Sequence, residues 1–215
     1  MLARDAAIAV LDFESTGAVG AHPNEPWQIG VILVRSGRVD RDSAFSRFLH
    51  VGDRPFNPHA PGRHAQLRDR LATAPRLEHL WADLNPRLSG RPLAAHNAGT
   101  EKTFLKRAFP LHALGPWIDT LKLVRLAYPR LRSHKLEAVV DTLNLQERVR
   151  ELTPDREPHD ALYDACACAV VLEHLLSQPA GGEVSVTALT RARPIRYHRE
   201  RLRSTTSSGG TTSPG

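Results

Sequence analysis

Residues 6–13 read AAIAVLDF, an apolar run that ends on an acid and leads at once into Glu14-Ser15-Thr16-Gly17. The run is far shorter than the roughly 18–20 residues that span a bilayer, so it predicts a buried strand closed by a cluster of acids and a glycine. Strand-like and helix-like segments then alternate. Trp27–Val34 (WQIGVILV) predicts a second strand, Ser36-Gly37 a turn, and Arg38–Val51 a third strand. Leu67–Ala72 and Leu77–Leu88 have helical spacing and are separated by Pro75. Pro92–His96 predicts an inner strand, Thr100–Phe109 a helix stopped by Pro110, and Trp117–Asp119 a last short strand. Helices are expected at Thr120–Ala127, Lys135–Leu143 and Asp160–Leu176, and Val184–Leu189 reads as a short strand or turn. Three strands in a meander, followed by strands interleaved with helices, predict a mixed α/β domain.

Composition narrows the class. Of 215 residues 41% are apolar and 24% charged, which suits one domain with a sizeable core and excludes a disordered chain, a collagen repeat or a small disulfide scaffold. The two cysteines, Cys166 and Cys168, stand two apart in a helical stretch. They face different ways there, so neither a disulfide nor a metal clip is expected, and a reducing compartment follows. Ala6–Leu11 lies between Asp5 and Asp12, unlike a signal peptide, so a cytoplasmic protein without a membrane segment is expected. The formal net charge is +6, and residues 191–203 hold six arginines against one glutamate. An arm of that kind suits phosphate backbones, though a solvated stretch without a partner has the same composition. The expected organisation is a domain over residues 1–178 and a basic, disordered tail over residues 179–215.

Three groups of residues carry chemistry. Asp12 and Glu14, two apart at a strand end, point to one face, and such paired carboxylates suit hard divalent cations; a solvated strand end is the plainer alternative. His96-Asn97-Ala98-Gly99-Thr100-Glu101 spans a strand-to-helix junction, with Asn97 and Thr100 as cap candidates and Glu101 in the first turn, where the helix dipole alone also favours an acid. His159 precedes the long helix and Asp164 lies just over one turn inside it, followed by Ala165, Cys166 and Ala167, small enough for close packing on a sheet. An acid on that packed side needs a partner, and a histidine beside it suits a general base near neutral pH.

In this order and spacing the groups resemble the DEDDh superfamily of 3′–5′ exonucleases, which includes the proofreading epsilon subunit of bacterial replicative polymerase and ribonuclease T. LDFESTG resembles its first motif, LAAHNAGTEKTFL its second and PHDALYDA its third, with WQIGVILV and IDTLKLVRLAYPRLRSHKLEAVVDTLNL matching the segments between; the likeness covers residues 6–177. It implies an RNase H-like α/β fold with a central five-stranded mixed sheet flanked by helices. It also implies two divalent metal ions, Mg²⁺ or Mn²⁺, held by Asp12, Glu14, Glu101 and Asp164, with Asp12 shared between them and His159 as general base. Phe13, Ser15 and Thr16 are then expected to line the pocket of the terminal nucleotide, and His96 and Asn97 to support the second motif on the substrate side.

The implied activity releases nucleoside 5′-monophosphates from single-stranded 3′ ends, with DNA ahead of RNA and a polymerase complex as a candidate partner. An RNA-trimming enzyme and a non-catalytic nucleic-acid-binding or polymerase-accessory module are the alternatives. Two positions depart from the family pattern. Glu101 stands where the family usually has aspartate, extending the carboxylate by about 1.5 Å. Gln28 replaces a glutamate common among relatives and so removes a charge.

Overall fold

The computed structural model describes residues 1–59, 67–179, 181 and 183–192. Its centre is one five-stranded sheet in the order β3-β2-β1-β4-β5. β1 is Ile8–Ser15, β2 Pro26–Arg35, β3 Arg38–Phe48, β4 Leu93–Ala95 and β5 Trp117–Asp119. β1, β2 and β3 pair antiparallel, while β1 with β4 and β4 with β5 pair parallel. The hairpin between β2 and β3 turns at Ser36 (φ 49°) and Gly37 (φ 70°), two successive left-handed residues whose twist matches that of the flanking strands. β1 is therefore the strand at which the sheet changes from antiparallel to parallel. The expected five-stranded mixed sheet with flanking helices is what forms.

Strand alternation splits the core into two layers. Ile8 and Val10 of β1, with Ile32 and Val34 of β2, face helix α7 (Ala161–Ser177). Ala9, Leu11 and Phe13, with Ile29, Val31 and Leu33, face the opposite side, covered by α2 (Trp81–Leu88) and α3 (Gly99–Ala108). The short α1 (Arg68–Ala72) closes a small third cluster through Leu71, with Trp27 and Val51. α4 (Thr120–Ala127), α5 (Leu136–Thr142) and α6 (Gln146–Leu152) pack beside α7. Cys166 and Cys168 are buried, unpaired thiols of α7.

Three expectations change. The third strand stops at Phe48 rather than Val51, because the chain turns at Gly52 (φ 66°) and Val51 is drawn into the small cluster. α6 was not anticipated. Residues 186–190 form a helix, α8 (Val186–Thr190), not a strand or turn. Ser185 caps α8 by accepting the Ala188 N–H at 3.1 Å, Val186 and Leu189 are buried in the α7-side core, and Ala3 N–H donates to Val184 O at 2.8 Å. A boundary at 178 thus falls inside the packed structure. The arginine-rich stretch from 193 onward, and the Ser/Thr/Gly-rich end, lie outside the described residues. Among the described residues no helix is long and apolar enough to cross a membrane.

Candidate active site

Asp12 and Glu14 continue the face of β1 begun by Ile8 and Val10, so both carboxylates project toward α7. In the register with β2, Asp12 lies opposite Gly30 and Glu14 opposite Gln28. A side-chain carbon at Gly30 would stand 2.2 Å from the Ala161 carbonyl oxygen, so only glycine lets the first turn of α7 sit directly on the sheet. Gln28, buried, locks that turn: its Nε2 donates to Asp160 at 2.9 Å and to Ser46 at 3.2 Å, and its Oε1 accepts the Ala161 N–H at 3.3 Å. A glutamate here would have no donor to offer Asp160, which is a physical reason for the amide. Asp160 caps α7 by accepting from Leu162 and Tyr163, and Arg156 holds it at 2.7 and 2.8 Å.

With α7 seated, Asp164 arrives at Glu14. Ligating atoms of Glu14, His159 and Asp164 all lie within 4.8 Å of one another. Asp164 also accepts the backbone N–H of His159 at 3.1 Å, fixing that residue in a left-handed conformation (φ 66°). Asp12 and Glu101 stand outside this tight triplet, yet Asp12 feels the charges of Asp164, Glu101 and Glu14.

The second motif approaches from β4 and α3. Glu101 is only 5% exposed, and its Oε2 is buried without a hydrogen-bond partner. Asp119, the last residue of β5, stands close enough for its charge to act on Glu101, and its Oδ1 accepts the Asn97 N–H at 3.2 Å. The sequence reading missed Asp119, although an acid closing a short apolar run (WID) repeats the pattern of Asp12. Neither Asn97 nor Thr100 caps α3: Ala98 occupies the cap position without a side-chain bond, and Asn97 takes a left-handed conformation (φ 69°). His96 is committed at both nitrogens, to Thr120 Oγ1 (3.0 Å) and to the His134 carbonyl (2.8 Å), and burial lowers its pKa. An imidazole so tied pins β4 to α4. Beneath it, Thr120 Oγ1 meets Cys168 Sγ at 3.2 Å.

The pocket residues expected from the first motif divide. Phe13 is a correction: it points away from the acids and packs edge-on against Phe104 at 5.4 Å in the opposite core layer, so its ring is structural. Thr16 is fully buried and carries the loop after β1, its Oγ1 accepting the Glu25 N–H at 3.1 Å and its carbonyl accepting the Asn57 N–H at 2.8 Å. Ser15 is half-buried at the strand end, and Asn97 is exposed.

The electrostatics of the cluster are unbalanced. Burial pushes Asp12 well above the usual carboxylate range, with Asp164, Glu101 and Glu14 adding to it. Burial and the neighbouring Asp164 push Glu14 up to about 8. Burial, with Asp119 adding, takes Glu101 to about 7, and burial takes Asp164 to about 6 against the opposing influence of His159. Among the described residues none of the four forms an ion pair with lysine or arginine. Among the described residues, crowded carboxylate oxygens without a lysine or arginine ion pair, and one buried oxygen without a hydrogen-bond partner, fit hard divalent cations.

The comparisons agree with this architecture. The exonuclease family model RNase_T matches residues 9–172. A DNA polymerase III PolC-type protein of Halalkalibacterium halodurans is 29% identical over 179 residues, covering 78% of this chain and 11% of the relative. A DNA polymerase III subunit epsilon-like protein of Rhodobacter capsulatus is 27% identical, covering 78% of this chain and 23% of the relative. The chain thus spans a tenth to a quarter of these relatives. Among solved structures, exonuclease X in complex with 5′-overhanging duplex DNA superposes with TM-score 0.64 at 24% identity, covering 85% of this chain and 99% of that one. The nuclease domain of 3′hExo bound to rAMP, a DEDDh family member, superposes with TM-score 0.58 at 18% identity, covering 84% and 96%. A sheet of this order, a match over three quarters of the sequence and an acid at each motif position lead to one conclusion: the chain belongs to the RNase_T exonuclease family.

Proposed function

We propose that this chain hydrolyses the terminal phosphodiester at the 3′ end of a single-stranded nucleic acid, DNA ahead of RNA, and releases a nucleoside 5′-monophosphate. The observation that carries the reading is the group of four carboxylates that, among the described residues, form no ion pair with lysine or arginine. Asp12, Glu14, Glu101 and Asp164 would hold two divalent cations, Mg²⁺ or Mn²⁺. Bound there, such ions supply Lewis acidity at the phosphoryl group and countercharge for the departing 3′-oxygen. His159, beside Glu14 and Asp164, takes the proton from the attacking water. Asp164 holds the His159 backbone beside the cluster, and Gln28 and Asp160 hold the helix turn that carries Asp164. Ser15, at the end of β1, and Asn97, two residues beyond β4, would face the terminal nucleotide. The names of the curated relatives favour DNA over RNA and support a polymerase as partner.

The test is product analysis on 5′-labelled DNA and RNA oligonucleotides with Mg²⁺, Mn²⁺ or chelator. A mononucleotide ladder shrinking from the 3′ end, abolished by chelator and by Asp12→Ala, is expected. Wild-type rates in Asp12→Ala would remove the cation assignment, and faster trimming of RNA than of DNA would reassign the substrate.

A further inference from the structure

His159 stands in the loop between α6 and α7, tethered by its backbone N–H to Asp164 Oδ2 at 3.1 Å. That tether sets where the side chain starts and leaves the ring free to turn about two bonds. Its Nε2 lies 3.4 Å from Oε1 of Glu137, in the first turn of α5. The position of Glu137 is not arbitrary, because Val139 and Val140 a turn further on are buried in the core that α5 shares with α7. Glu137 also lines a cleft of about 380 Å³ together with Tyr163 and Asp164, and its charge acts on Asp164. An acid placed there opposes both the carboxylate cluster and a polyanionic substrate. Arg150 and Arg156 line the same cleft, and the group that Glu137 contacts is His159.

We infer that Glu137 is a positioning residue for His159: its carboxylate, 3.4 Å from Nε2, holds the ring beside the carboxylate cluster. The inference rests on the reading of His159 as general base. An imidazole that accepts a proton at one nitrogen works best when the other is held by an acceptor, which fixes tautomer and orientation together. The pair is exposed, with Glu137 57% and His159 41% accessible, so it adds little to stability and its removal leaves the fold intact. What it changes is the fraction of time the ring faces the site.

The experiment compares wild type, Glu137→Gln, Glu137→Asp, His159→Ala and the Glu137→Gln/His159→Ala double variant on a saturating single-stranded oligonucleotide with Mn²⁺. Glu137→Gln should lower kcat about two- to fivefold, the range an exposed pair supports, with KM unchanged, and Glu137→Asp should recover part of the loss. In the His159→Ala background the same substitution should have no further effect. In metal-free protein labelled with ¹⁵N-histidine, the His159 ring signals should move in Glu137→Gln. An unchanged or raised kcat, a fall in KM alone, or an equal loss in the His159→Ala background would overturn the positioning role. A wild-type kcat in His159→Ala would instead overturn the assignment of the base, and this inference with it.

Discussion

In the half of the cluster built by β1 and α7, Glu14, His159 and Asp164 crowd to within 4.8 Å, and Gln28 and Arg156 both bond Asp160 at the start of the helix. In the half built by β4 and α3, a single acid, Glu101, is buried with one oxygen unpartnered. Both halves raise carboxyl pKa values, for different reasons. Glu14 reaches about 8 because crowding by Asp164 adds to burial, whereas Glu101 reaches about 7 chiefly through burial. Neutralising one acid of the first half therefore relieves its neighbours, while in the second half burial outweighs the charges of Asp119 and Lys102.

Four substitutions break or sharpen that contrast. His159→Ala, in the crowded half, should cost about 10²–10⁴ in kcat, as loss of a general base does, measured in single turnover. Gly30→Ala should destabilise by about 1–3 kcal/mol in urea, because backbone atoms of α7 must retreat from the new methyl group, and Asp164 retreats with them. Glu14→Gln probes the charge balance directly. The folded-state pKa of Glu14 lies above its ordinary value of 4.5, so its protonation stabilises the cation-free protein at acid pH and that contribution is lost as pH rises toward and through about 8. The permanently neutral glutamine should thus raise Tm in chelator at pH 8–9 by at least about 2–4 °C, the shift from 1 kcal/mol in a chain of this size, and should change little at pH 4. An equal rise at both pH values would refute charge crowding. Glu101→Asp should have the smallest effect, a change in kcat below about tenfold, or 1.4 kcal/mol. A larger drop would show that the second half is built around the longer side chain.

Much of this was legible in the sequence because periodicity and strand-end acids are local signals. The strands at Ile8–Ser15, Pro26–Arg35 and Trp117–Asp119, and the long helix carrying Asp164, follow from apolar runs and their stops. α6 was legible but unread: Leu145, Val149 and Leu152 recur at helical spacing. Phe13 was misjudged because alternation along β1, which sends Asp12 and Glu14 one way, must send the residue between them the other way. The contacts of Gln28, Asp119 and Glu137 could not be found from local pattern, although Asp119 closes an apolar run as Asp12 does. Each acts through a partner distant in sequence (Asp160, Glu101 and His159), and such pairings exist only once the sheet and α7 have met.

The two thiols of α7 have a practical consequence. Burial pushes Cys166 up to about 12 and Cys168 higher still, so at neutral pH neither supplies the thiolate that alkylating reagents need. Labelling can proceed only when the packing around α7 opens, and Asp164 rides on that helix. The rate of thiol capture is therefore a built-in clock for the integrity of the catalytic layer, readable with neither substrate nor cation present.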